Sequence, residues 1–168
     1  MENLYTPDCI RTFTGIYMNV FEPTEEMVCI EDIAHALAHQ CRFGGHLPHF
    51  YSVAEHSAMT SIVVNHTSNA LAGLLHDASE AYLLDIPSPI KKRLANYKEI
   101  EDVLMRVIAN KFQFAYPLDE DVKKADNFML EWEWSRLMLE EKKHPPLEHW
   151  SPKYAKEVFL EKFNMLKK

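Results

Sequence analysis

Residues 74–82 read Leu74-Leu75-His76-Asp77-Ala78-Ser79-Glu80-Ala81-Tyr82, and this pattern decides the fold class. Leucine, alanine and tyrosine recur at helical spacing, which places the stretch on a buried helix. Yet it carries three titratable groups, and burying His76, Asp77 and Glu80 bare would be costly. Either they satisfy one another or something is bound between them.

The same three-to-four-residue apolar recurrence runs outward through most of the chain, and glycine is scarce, at four in 168 residues. The chain therefore reads as all-α. The exception is Thr12 to Val20, "TFTGIYMNV", whose β-branched and aromatic residues around Gly15 predict a small hairpin. The length suits one domain over residues 1–168.

Upstream of the opening stretch, Ile30, Ile33, Ala34, Leu37 and Cys41 mark one helix face, with His35 and His39 displaced toward the surface. "CRFGGHLPHFY" follows as a loop, by Gly44-Gly45 and Pro48. Ser52-Val53-Ala54-Glu55 is a capping box, so a helix starts near Ser52 and carries His56 in its first turns. The helix containing His76 runs from about Ser68 to Leu83 and stops before Pro87. Ser88-Pro89 then reads as a cap followed by proline at the first helical position, which puts Lys91 and Lys92 in a first turn. Helix dipoles prefer acidic groups there, so these lysines suggest an anion that they help to hold.

Downstream, Ile100, Leu104, Val107 and Ile108 form the face of a helix leading to Phe112. A long helix takes in Val122, Ala125, Asp126, Met129 and Leu130 and continues into "EWEWSRLML". Ser151-Pro152 starts a last helix through Val158, Phe159 and Phe163. Between the two, "EKKHPPLEHW" is too short to separate domains.

A formal net charge of -7 disfavours tracking a nucleic-acid polymer, which needs a broad field of Lys and Arg; a small anion needs only a local cluster. Cys9, Cys29 and Cys41 form an odd set without a C-x-x-C pair, as expected of reduced thiols. The start "MENLYTPD" has no leader pattern, and no uncharged apolar run is long enough to span a bilayer. The expectation is a cytoplasmic protein that makes no use of a membrane.

On one helix, His76 and Glu80 are four apart and Asp77 and Glu80 three apart, so their side chains lean to a common side. His56 on the capped helix and Asp126 on an apolar stripe add to this set. Two imidazoles with two carboxylates suit a divalent transition metal such as Mn, Co, Ni, Zn or Fe, with room left for water or a substrate oxygen. Water bound to such a metal is far more acidic than bulk water.

"SVAEHS" (Ser52 to Ser57), "LLHDASEAYLLDIPSPIK" (Leu74 to Lys91) and "KKAD" (Lys123 to Asp126) together resemble the H…HD…D signature of HD-domain phosphohydrolases. The similarity is greatest to the small bacterial and phage branch acting on 5′-deoxynucleotides, and it spans about Thr12 to Leu139. It implies an HD-type helical bundle with His56, His76, Asp77 and Asp126 as metal ligands. Glu80 and Asp85 match acidic residues placed around the attacking water and the leaving oxygen. Arg42 matches an arginine contacting phosphate or sugar, and Lys91 a lysine after the D-x-P-x-P turn. Phe43, beside Arg42, is a candidate to stack on a base, although a loop aromatic also suits the core.

Other charged and aromatic residues receive plainer readings: Lys92 as a surface charge, His46 and His49 as loop histidines, Trp132 and Trp134 as core, with one of them a candidate for a subunit contact. The partners expected are a small deoxynucleotide and a second copy in a homo-oligomer. A deoxynucleoside 5′-monophosphate ranks ahead of a triphosphate, because the metal, Arg42 and Lys91 suffice for one phosphate; Lys123 and Lys124 keep a dATPase-like triphosphohydrolase open. A metal-stabilised nucleotide sensor is the non-enzymatic rival, disfavoured by Glu80 and Asp85. Alarmone hydrolases would carry a second acid where Ala81 stands, cyclic-dinucleotide hydrolases a G-Y-P motif, and di-iron oxygenases histidines between Asp77 and Asp126; none is present.

Overall fold

A computed structural model of the chain describes residues 8–64, 66–139 and 149–167. "EKKHPPLEHW" lies almost wholly outside the described residues. The fold is all-α with a short hairpin at its N-terminal end. Strands β1 (Ile10–Arg11) and β2 (Tyr17–Met18) pair antiparallel, Ile10 with Met18 and Arg11 with Tyr17. Gly15 turns the chain between them at φ +94°, a conformation that suits glycine. The strands are shorter than expected and flank the Thr12–Ile16 turn. Helix α1 (Ile30–His39) holds that turn: buried Asp32 accepts from Thr14 N at 2.6 Å and Thr14 Oγ1 at 2.8 Å.

Ile33, Ala34, Leu37 and Ala38 of α1 face the core. Cys41 lies beyond the helix and is exposed, so the predicted stripe ends at Leu37. The 42–51 loop is clasped shut by Arg42 N to Tyr51 O (2.9 Å) and Val53 N to Gln40 O (3.1 Å). Helix α2 (Val53–Val63) then begins where the capping signal placed it, with Ser52 Oγ accepting from Glu55 N at 3.1 Å. The Glu55 carboxylate instead accepts from Trp150 N at 3.4 Å, next to helix α8 (Pro152–Leu166). Ser151 Oγ caps α8 through Tyr154 N at 3.2 Å.

The helix expected over 68–83 is broken. Helix α3 (Ala70–Leu75) ends, the chain tightens through three-residue turns such as Glu80 N to Asp77 O (2.9 Å), and α4 (Glu80–Leu83) follows. His76 Nδ1 donates to Gly73 O at 2.8 Å, the carbonyl that a continuous helix would offer to Asp77. The predicted helix after Ser88-Pro89 is the single turn α5 (Ser88–Lys91); α6 (Tyr97–Phe112) starts only after Asn96 at φ 62°. Lys91 thus closes a turn, with Lys92 just beyond it, and the helix-dipole reason for an anion at these lysines lapses.

Helix α7 (Glu120–Glu133) turns Val122, Ala125, Met129 and Glu133 inward and continues as a π-helical turn over Trp134–Leu139. Helix α2 is central, packed by α1, α3, α7 and α8. Val53, Leu37, Leu74, Leu104, Ile108 and Phe159 have no exposed surface and fill the space between the helices. Trp132 and Trp134, expected in the core, are 38% and 50% exposed because they flank the inward-facing Glu133. Among the described residues, no helix is long and apolar enough to cross a membrane.

Candidate metal centre and its cleft

Three places in the chain converge on one point. Helix α2 supplies His56, the broken turn after α3 supplies His76 and Asp77, and α7 supplies Asp126. The Nε2 atoms of His56 and His76 lie 3.2 Å apart. Asp126 Oδ1 is 3.1 Å from the first and 3.5 Å from the second. Asp77 Oδ2 is 3.2 Å from His76 Nε2 and 3.7 Å from His56 Nε2. Among the described residues, His56, His76 and Asp126 bring one ligand atom each within 4.8 Å of one another, a spacing that suits a shared cation.

Both Nδ1 atoms are committed outward, His76 to the Gly73 carbonyl and His56 to Glu133 Oε1 at 2.6 Å. In the neutral rings, two Nε2 lone pairs therefore face each other beside two carboxylates. Such an arrangement needs a positive charge between its members: a proton on one ring or a cation shared by all. Burial alone would lower the His76 pKa, but Asp77 and Asp126 outweigh it and raise the value well above that of an ordinary histidine. The same contacts outweigh burial at Asp77, whose pKa falls to about 2, and hold Asp126 lower still. The donor set fits a divalent transition metal, with mixed imidazole and carboxylate and each ring oriented by a hydrogen bond behind it.

Glu133 is absent from the sequence-derived set, yet it organises this centre. It has no exposed surface, and besides His56 it accepts from Tyr51 OH at 3.0 Å and from Arg42 Nε at 3.0 Å. Its position, four residues after Met129 and seven after Asp126, continues the buried stripe of α7 and was the available signal. Burial would raise its pKa, but His56 and Arg42 keep it lowered. Arg42 is itself buried, with Nη1 turned to Asp77 Oδ2 at 3.8 Å.

The centre opens into a cleft of about 970 Å³ lined by Arg42, Asp77, Glu80, Asp85, Lys91 and Asp126 among others. Phe43 and His46 line it as well, while the His49 ring lies against that of His149, centroids 5.0 Å apart and planes tilted by 34°. Glu80 Oε1 accepts from Lys91 Nζ at 3.2 Å, and Glu80 Oε2 is buried with no hydrogen-bond partner among the described residues. Burial, with Asp77 and Asp85 nearby, pushes the Glu80 pKa well up. Burial also raises Asp85, against the pull of Arg42. Gln40, another residue unmarked in sequence, donates to Glu80 O at 2.9 Å and accepts from Asp85 N at 3.0 Å, fixing both ends of the 80–85 turn. Lys91 is not a free cation: Glu101 Oε1 is 2.6 Å from its ammonium, so two carboxylates share one lysine.

No family model matches the chain. It is 36% identical over 169 residues to YfdR, an uncharacterized protein of Escherichia coli K12, covering 94% of each chain. The chain belongs to the YfdR family. An uncharacterized protein of Rhodobacter capsulatus is 33% identical over 124 residues, 68% of this chain and 63% of that protein.

Proposed function

We propose that the chain is a metal-dependent phosphohydrolase of the HD-domain type, acting on deoxynucleoside 5′-monophosphates to release phosphate. One observation carries this reading: the facing, buried Nε2 atoms of His56 and His76, set against Asp77 and Asp126, whose side chains line an open cleft. The fixed charges point the same way. Asp77, Asp126 and Glu133 are held as carboxylates beside Arg42, and Lys91 is already bound to Glu80 and Glu101, so among the described residues little positive charge is left for a phosphate dianion without a further cation.

His56, His76, Asp77 and Asp126 would hold a divalent metal, which would supply Lewis acidity toward a phosphoryl oxygen and toward a neighbouring water. The chain does the rest. Arg42, its Nε and Nη2 tied to Glu133, presents Nη1 toward the cleft to orient a phosphate oxygen. Glu80 has one oxygen held by Lys91 and the other unpartnered, which suits it to take a proton from the attacking water. Asp85, half-buried and raised in pKa, is placed to give a proton to the sugar oxygen that leaves. Lys123 lies 3.6 Å from Glu120 and neither it nor Lys124 lines the cleft, which supports a monophosphate over a triphosphate.

The test is a screen of deoxy- and ribonucleoside mono- and triphosphates with Mn, Co, Ni, Zn and Fe, resolving products. Inorganic phosphate plus deoxynucleoside is expected, and chelation should abolish it. Inorganic triphosphate from dNTP alone would replace the substrate assignment, and no turnover with any metal would sink the enzyme reading. Asp77→Ala should lose metal and activity together, whereas Glu80→Gln should keep the metal and lose at least about a hundredfold in kcat.

A further inference from the structure

The phosphohydrolase reading accounts for the acidic floor and the Arg42 rim of the cleft but leaves its apolar wall without a role. Leu130, Trp134 and Met138 line that wall at intervals of four residues. Trp134 is 50% exposed and Leu130 42%. In a continuous α-helix such a stripe winds away, because four residues overshoot a turn of about 3.6. Here α7 passes at Trp134 into the wider π-helical turn, in which four residues fall short of a full turn. The two drifts oppose each other, so Met138 returns to the line of Leu130 with Trp134 beside it, and all three line the cleft.

The wall is keyed to the charged end of the cleft. Phe43 and Trp134 directly follow Arg42 and Glu133 in the chain, and Arg42 Nη2 and Glu133 Oε2 pair at 3.0 Å. Phe43 is held in the left-handed region at φ 55°, with its ring centroid 6.1 Å from that of Trp134 and the planes tilted by 50°. One buried ion pair thus sets two half-open aromatics beside the arginine that faces the metal centre. The ligand complementary to this cleft is anionic at one end and flat and apolar at the other.

We propose that Trp134, on a wall continued by Leu130 and Met138, is the surface on which the nucleobase of the substrate stacks. This rests on the nucleotide reading above. Because every base offers a π-face, the wall adds affinity for all bases and does not choose among them.

The experiment compares wild type, Trp134→Ala and Trp134→Phe on the four deoxynucleoside 5′-monophosphates and on 2-deoxyribose 5-phosphate, which lacks a base. Trp134→Ala should raise KM for every nucleotide by roughly tenfold or more, with kcat little changed. It should leave the base-free substrate unaffected, and Trp134→Phe should recover much of the loss. Unchanged nucleotide KM overturns the proposal while leaving the phosphohydrolase reading intact. An equal loss on both substrates also overturns it, since Trp134 would then only brace Arg42. Should wild type hydrolyse no nucleotide, that reading falls by itself, and fluorescence decides the stacking. In a Trp132→Phe/Trp150→Phe background, quenching of Trp134 by added dAMP supports the wall, and no quenching removes it.

Discussion

Glu133 joins three things that a sequence presents far apart: a ring of the proposed metal centre, the arginine of the cleft and the hydroxyl of Tyr51. A carboxylate behind a ligating histidine fixes its orientation and raises its basicity, and losing such a partner typically costs about 10- to 100-fold in metal affinity. Glu133→Gln keeps an acceptor oxygen and the shape but removes the charge. Metal affinity, measured by competition with a chelator, should fall in that range with the fold intact by circular dichroism; unchanged affinity would reduce Glu133 to a packing role. The buried stripe Val122, Ala125, Met129 already pointed to Glu133, but Trp132 and Trp134 on either side compete for the same face by hydrophobicity alone. A fully paired carboxylate wins over two indoles because its hydrogen bonds offset the burial cost, and no single-residue scale registers partners that are 77 and 91 residues away. Of His56, His76, Asp77 and Asp126, which the fold brings together, only His76 and Asp77 are neighbours in sequence; the set as a whole was named by its resemblance to the H…HD…D signature, because no local spacing joins three separate segments. Lys91 was legible as a charge near the site, but not its capture by Glu80 and Glu101.

Between elements, α2 and α3 approach closely at Gly73. A Cβ there would sit 2.7 Å from Val64 Cγ2 and 3.3 Å from Ser61 Cα, the second a backbone atom that cannot swing aside. Gly73→Ala should therefore cost about 1–3 kcal/mol of stability. Because the Gly73 carbonyl orients His76, it should also weaken metal binding. A denaturant series with and without metal checks both effects, and a neutral result would mean that α3 shifts freely. The serine caps at Ser52 and Ser151 were legible because a cap is a contact between residues three apart, whereas the return bond expected of Glu55 in the capping box gives way to its contact with Trp150 N. The break at His76 was not, since apolar periodicity runs on through Ala81 while the turn is tightened by a side-chain bond. Glu55 carries a further consequence of the α2 start. Burial raises its carboxyl pKa to about 7, outweighing the hydrogen bond from Trp150 N. A raised carboxyl pKa means the folded state holds the proton more tightly than the unfolded chain, so this stabilisation is complete below the unfolded value and lost as pH rises through about 7. Glu55→Gln should thus gain in Tm over wild type between pH 5 and 8; a constant difference across that range would show that Glu55 titrates normally.

At the scale of the molecule, the proposed metal centre is where otherwise separate packing layers meet. Its four side chains come from α2, the turn between α3 and α4, and α7. The all-α class and the hairpin were legible in sequence because periodicity is repeated along the whole chain. The helix order around α2 was not, because it depends on which faces pair across long separations. In the unfolded chain the four side chains are scattered over 71 positions, from His56 to Asp126, and form no preorganised site. A metal that binds only the folded state adds about 2.7 kcal/mol to stability at a hundredfold excess over its Kd. For a domain of this length that corresponds to a rise in Tm of about 5–10 °C. Thermal unfolding of chelator-stripped protein, repeated with Mn, Co, Ni or Zn, should show such a rise. Magnesium should give a much smaller one, because it favours an all-oxygen shell and two of the four side chains here are imidazoles. Asp126→Asn should retain the fold, since that position is half-exposed at the cleft, and should lose most of the metal-dependent rise. If no transition metal shifts the transition, the positive charge between His56 and His76 is a proton and the phosphohydrolase proposal loses its centre. If Asp126→Asn keeps the full shift, a metal binds this protein somewhere else.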